Sequence, residues 1–96
     1  MKLSIAEKLK FMRESERLTS RPAVAKMLGI GNDALWRYEV GKSIPSAEIV
    51  IRLLSLPAFE KYALWFTTGK TAPESGQVAP ALYDPKNYEN DEKKLA

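Results

Sequence analysis

Glycine or proline interrupts every apolar segment of this chain between Ser20 and Gly69. Within that stretch, apolar residues recur at spacings of three and four, which is the pattern of one helix face. Proline cannot continue a helix, and glycine suits the left-handed position just past a helix end. The punctuation therefore predicts a run of short helices. The interrupting residues are Gly29, Gly31, Gly41, Pro45, Pro57 and Gly69.

Five helices follow from this pattern. Ser4 and Glu7 have the spacing of a capping box, and Ser20 and Ser46 are good N-caps. The fourth helix is the most apolar, so we expect it at the centre of the core. The predicted helices are about residues 4–16, Ser20 to Gly29, Asn32 or Asp33 to Gly41, Ser46 to Pro57, and Pro57 to Gly69.

Two residue types are absent from the sequence, cysteine and histidine. Their absence removes disulfides, thiolate nucleophiles, imidazole metal ligands and the commonest general base. The sequence also offers no convergent pair of carboxylates. We therefore expect neither an enzyme nor a protein with a cofactor or metal, and we expect no small-molecule ligand.

Charge divides the chain into two parts. Residues 1–70 carry a net charge of +5, and residues 71–96 carry −2. A basic folded part is compatible with a polyanionic partner, although many small proteins are mildly basic. We predict a folded domain over residues 1–70, an extended arm or short edge strand over 71–83, and a disordered tail over 84–96. Without a leader or an apolar run of membrane length, we expect a cytoplasmic protein.

Helices two and three have the anatomy of a helix-turn-helix. The small Ala25 lies four residues before Gly29, which allows the helices a close approach, and Ile30 can fill the turn. The third helix leaves polar and aromatic groups facing outward, and such groups suit base edges in the major groove. An ordinary helical hairpin is the alternative at this point. The outward residues are Asn32, Asp33, Trp36 and Arg37.

The order of short motifs resembles the Cro/C1-type helix-turn-helix family. The motifs are Ala25 to Ile30 (AKMLGI), Leu35 to Lys42 (LWRYEVGK) and Pro45-Ser46. The segments Lys61 to Phe66 (KYALWF) and Ala72 to Leu82 (APESGQVAPAL) are similar to the short immunity repressors of temperate phages of the P-two group. The resemblance implies an all-α, five-helix, lambda-repressor-like domain with a short C-terminal strand or arm.

The resemblance also implies roles for individual residues. It implies base contacts from Asn32, Asp33 and Arg37, with Trp36 near a sugar-phosphate edge or a thymine methyl. Gly31 replaces the usual hydroxyl cap, so for Asn32 the alternative to reading a base is to serve as the cap of the third helix. Glu39 is expected to pair with an arginine. The residues implied to contact the DNA backbone are Arg21, Lys42, Lys10 and Arg13.

A homodimer on double-stranded operator DNA is the further implication, because one recognition helix buries too little surface for tight specific binding. The expected function is a repressor that maintains lysogeny by silencing an early lytic promoter. An antitoxin, another small regulator of this fold, or a protein-binding helical module are the alternatives. For Trp65 and Phe66, a place in the core is the alternative to the dimer surface. The predicted interface consists of Tyr62, Trp65, Phe66, Val78 and Leu82.

Overall fold

The computed structural model describes residues 3–84 and Lys86. This part of the chain contains five α-helices, with 3-10 turns at Glu60–Tyr62 and Pro73–Ser75. None of the described helices is long and apolar enough to cross a membrane. The predicted disordered tail, apart from Asp84 and Lys86, lies outside the described residues. The helices are α1 (Ile5–Ser15), α2 (Arg21–Leu28), α3 (Asn32–Glu39), α4 (Ala47–Leu54) and α5 (Ala63–Thr68).

Three serines begin helices, as the sequence predicts. Ser4 and Glu7 form the capping box of α1, in which each side chain bonds to the other residue's backbone N–H. The hydroxyls of Ser20 and Ser46 accept hydrogen bonds from Ala23 N and Ile49 N at 3.3 Å. These contacts satisfy amide groups that a helix start leaves without partners. The local sequence therefore determines where α1, α2 and α4 begin.

The core forms where α1, α2 and the segment after α4 meet. Met12, Leu28, Phe59 and Trp65 are the large side chains at its centre, and each is buried. The apolar α4 does not occupy this position, contrary to the prediction. Leu53 is its only buried residue, and Ile51 is 66% exposed. Phe59 and Trp65, with their larger side chains, fill the centre instead.

The fifth helix is shorter than predicted. It begins at Ala63, because the residues after Pro57 form turns and then a 3-10 turn before the α-helix starts. Its C-terminal end agrees with the sequence, since Gly69 takes the left-handed conformation with φ of 78°. The sequence shows a wide aromatic face in this segment because its aromatic side chains are packed into the core of the same chain, not because they form a surface for a partner.

The segment after Gly69 is an arm that folds back onto its own chain. An isolated bridge joins Ala72 to Gln77, and residues 71–84 contain no β-strand. The side chain of Gln77 accepts from Leu64 N and donates to Glu60 O, which ties the arm to the start of α5. Tyr83 then packs against Trp65, with 5.4 Å between ring centroids. Residues 71–84 therefore form a folded-back arm that contains no edge strand.

Three residues of the predicted dimer interface lie in the core of a single chain, and this part of the prediction is wrong. Tyr62, Trp65 and Phe66 are buried, and Trp65 is 0% exposed. Together they leave almost no exposed surface for a second molecule. Val78 is half-buried against the core, and only Leu82, at 55% exposure, presents a large apolar surface.

Candidate nucleic-acid interface

A tight turn joins α2 to α3. Gly29 ends α2 in the left-handed conformation, with φ of 71°, and Ile30 N donates to Ala25 O at 3.0 Å. Ala25 is buried, and Ile30 packs partly against the core from within the turn. The predicted roles of Ala25, Gly29 and Ile30 are therefore confirmed. The turn holds α3 at a fixed orientation on α2.

The outer face of α3 consists of exposed polar side chains. Leu35 is buried and Tyr38 is half-buried against the core, so the opposite face carries Asn32, Asp33 and Arg37. The carboxylate of Asp33 lies 3.7 Å from Nη2 of Arg37, one helical turn away. This exposed pair contributes little to stability, which leaves both groups available for other partners.

Gly31 is the N-cap of α3, and it supplies no side-chain hydrogen bond. The helix starts at Asn32, so the alternative in which Asn32 is the cap is wrong. Within the described part of the chain, the Asn32 amide makes no hydrogen bond and is exposed to solvent. Its donor and acceptor are therefore free for a base edge.

Lys42 is held beside α3 by backbone and side chain together. Its N–H donates to Arg37 O at 2.9 Å, and its Nζ lies 4.7 Å from the centroid of the Trp36 ring. A cation above an indole face is attracted by the ring quadrupole. Trp36 is half-buried beneath this ammonium group. The pair places a positive charge at the C-terminal end of α3.

Glu39, the last residue of α3, lies between two arginines. Arg13 of α1 donates from Nε and Nη2 to the two carboxylate oxygens, at 2.6 and 2.8 Å, and from Nη1 to Leu18 O. Arg21, the first residue of α2, places its Nε 3.6 Å from Glu39 Oε1. The hydrogen bonds to Glu39 raise the pKa of Arg13 above its usual value, and burial opposes them. The trio joins α1, α2 and α3.

Two comparisons with known proteins agree with this geometry. A family model described as helix-turn-helix matches residues 9–57. Repressor protein C of Escherichia phage P2 is 45% identical over 82 residues, which is 85% of this chain and 82% of that protein. The chain belongs to the Cro/C1-type helix-turn-helix family. It is a DNA-binding protein, and α3, the second helix of its helix-turn-helix, holds the position of the recognition helix in this family.

The recognition helix and its flanks bring together six of the predicted contact residues. Asn32, Asp33 and Arg37 project from the recognition helix, and Arg21 begins the preceding helix. Lys42 lies just past the end of the recognition helix, with its ammonium group over the ring of Trp36. In the trio with Glu39, Arg21 keeps a side chain that is 36% exposed. These residues form the candidate interface, which we define as Arg21, Asn32, Asp33, Trp36, Arg37 and Lys42.

Arg13 does not belong to the candidate interface, and its predicted contact with the DNA backbone is wrong. The residue is 7% exposed, and all three guanidinium nitrogens donate to Glu39 or Leu18. A buried guanidinium whose three nitrogens are all engaged within the fold is not accessible to a phosphate. The sequence does carry a signal for this role, because Arg13 follows the buried Leu9 by four residues and shares its helix face.

Lys10 lies on a different part of α1. Its Nζ is 3.9 Å from Glu14, and it lines a surface groove with Glu7, Phe11 and Glu14. Two carboxylates against one ammonium group disfavour a phosphate at this position. We therefore leave Lys10 out of the candidate interface.

Proposed function

We propose that this protein is a sequence-specific transcriptional repressor, with the recognition helix in the major groove of operator DNA. The observation that carries the proposal is the free polar face of α3, bounded by the cations of Arg21 and Lys42. The 45% identity to a phage protein named as a repressor supports regulation by silencing. The protein would act in the cytoplasm of a bacterial host, where its DNA target lies.

Arg37 is the principal base reader in this proposal. An arginine at this place on a recognition helix can donate two hydrogen bonds to the O6 and N7 atoms of a guanine. Asp33, 3.7 Å from Arg37, orients the guanidinium group in the groove or accepts from a cytosine N4. The free amide of Asn32 matches the N6 and N7 atoms of an adenine.

The phosphate contacts come from the two ends of the helix-turn-helix. Arg21 stands at the start of α2, and Lys42 stands just past the end of α3. Trp36 acts mainly as the platform for the Lys42 ammonium group, and its exposed edge contacts the sugar-phosphate backbone or a thymine methyl. Two such contacts fix the register of the recognition helix on the duplex.

We infer that the working unit is a homodimer. The recognition helix has eight residues and reads only a few base pairs, so two copies on two half-sites are needed for tight specific binding. Leu82 and Val78 remain our candidate dimer contact, because Leu82 is the exposed large apolar residue of the arm. The arm segment 71–83 is then the dimer contact of a domain formed by residues 1–70.

The biological role that we propose is that of an immunity repressor, which maintains lysogeny by silencing an early lytic promoter. DNase footprinting on the DNA that flanks its own gene tests this directly. We expect protected sites that overlap a promoter, and a reporter driven by that promoter should be silenced when the protein is present. Protection without silencing would contradict repression, and no protection at any salt concentration would favour a protein-binding module.

A further inference from the structure

Two guanidinium groups, those of Arg13 and Arg21, lie beside the single carboxylate of Glu39. Its side chain is 3% exposed, and Arg13 alone already donates a short hydrogen bond to each of its two oxygens. Arg21 is therefore a second guanidinium at a carboxylate that is already neutralised. The structural requirement for a buried ion pair is met by Arg13, which leaves the position of Arg21 without a purely structural explanation.

Arg21 is incompletely satisfied in the DNA-free protein. Its Nε is buried and lies 3.6 Å from Glu39, too far for a hydrogen bond, and it has no acceptor in the described part of the chain. Its terminal amino groups also have no hydrogen-bond partner there. Moreover, the first turn of α2 contains no acidic residue, and a helix N-terminus favours an anion over a cation. An anion beside the terminal amino groups of Arg21 would relieve the second and third of these conditions.

We propose that Glu39 is a positioning residue for DNA binding, which orients Arg21 through its Nε so that the terminal amino groups bind a backbone phosphate. The inference rests on the proposed function. Because Glu39 is the last residue of the recognition helix and Arg21 is the first residue of α2, the phosphate contact and the recognition helix share one anchor. Binding of the phosphate then sets the register of the recognition helix on the base pairs.

The guanidinium fork is essential in this arrangement. Arginine can direct Nε towards the carboxylate as an ion pair while its terminal nitrogens donate to the phosphate, whereas a lysine has one ammonium group for both. Arg21→Lys keeps the charge and removes the fork. The experiment measures the affinity of wild type, Arg21→Lys and Arg21→Gln for a duplex that wild type selects from a random-sequence pool, by fluorescence anisotropy at several salt concentrations.

We expect Arg21→Lys to lose about tenfold in affinity, close to the loss in Arg21→Gln, because both lack the oriented hydrogen bonds. Arg52→Lys is the matched control, since Arg52 is also a half-exposed arginine that pairs with a glutamate, Glu48, but lies outside the candidate interface. It should bind the duplex like wild type. If Arg21→Lys binds like wild type, Arg21 acts as an unoriented charge and the proposal is overturned.

A double-mutant cycle with Glu39→Gln tests the role of Glu39 itself. When Glu39 is already changed, Arg21→Gln should cost much less than tenfold, because the guanidinium is no longer oriented. Additive losses would overturn the proposal. If Glu39→Gln does not fold by thermal unfolding, the comparison of Arg21→Lys with wild type decides alone. If wild type itself selects no sequence from the pool, the proposed function fails. That result differs from a failure of the Arg21→Lys comparison or of the double-mutant cycle, which would overturn only the role of Glu39.

Discussion

Arg13 and Glu39 form a buried, two-pronged ion pair that joins α1 to the last residue of the recognition helix, with N–O distances of 2.6 and 2.8 Å. Both side chains are less than 10% exposed. The pair is therefore part of the scaffold that holds α3 in place, and each partner depends on the other to compensate a charge that is removed from water.

Removal of one partner from this pair should destabilise the fold strongly. We expect Arg13→Met to lower the free energy of unfolding by about 3–5 kcal/mol, because the buried carboxylate of Glu39 loses its main donors. Urea denaturation measures the effect. Glu48→Gln is the control, since the Glu48–Arg52 pair is exposed, and its loss should cost less than about 1 kcal/mol. Equal costs in the two variants would show that the Arg13–Glu39 pair is not a structural anchor.

Arg37→Ala should change sequence preference without changing stability. The side chain is 56% exposed and pairs only with the exposed Asp33, so the free energy of unfolding should stay within about 0.5 kcal/mol. Discrimination at one base pair of the selected duplex should fall by about 1–3 kcal/mol. Titration of duplexes with single base-pair changes measures this, and Lys70→Ala, an exposed cation outside the interface, should match wild type. An even loss on all duplexes would instead indicate a phosphate contact.

Acid should weaken the fold partly through Glu16. This carboxylate accepts from the Tyr62 hydroxyl and lies 3.0 Å from Lys61 Nζ. Burial raises the pKa of Glu16, but the hydrogen bonds from Tyr62 and Lys61 outweigh it and leave that pKa below its usual value. A carboxylate with a lowered pKa stabilises the folded state at neutral pH, and this contribution disappears as the pH falls through the folded-state pKa.

Wild type should therefore lose more stability than Glu16→Gln between about pH 6 and pH 3, by urea denaturation at each pH. The glutamine variant cannot ionise and should be less stable than wild type at neutral pH. The two stabilities should approach each other in acid. Parallel pH profiles would show that the cluster of Glu16, Lys61 and Tyr62 does not couple protonation to folding.

Leu82→Asp should give monomers if the arm is the dimer contact. Leu82 is more than half exposed, so the substitution should leave the fold of a single chain intact. Sedimentation measures the mass, and Ile51→Asp on α4 is the matched control, because it also places a charge on an exposed apolar residue. A dimer that survives Leu82→Asp but dissociates in Ile51→Asp would move the interface from the arm to α4.

The sequence alone determined the local structure of the helix-turn-helix. Serine caps set the starts of α1, α2 and α4, and left-handed glycines set the ends of α2 and α5, because these residues act on neighbouring backbone groups. The order of motifs was also sufficient to predict the family. The caps and the helix ends depend only on contacts between residues that are close in the sequence.

Only the tertiary structure decided which side chains are free to bind. Arg13 and Arg21 are the same residue type in the same predicted surface, yet one is buried by a bidentate contact with Glu39 and the other keeps its terminal nitrogens in solvent. The sequence predicts Trp65 in the dimer interface, but in the folded chain Tyr83 packs against its ring. Burial depends on residues that are distant in the chain, and the spacing of a local motif does not contain that information.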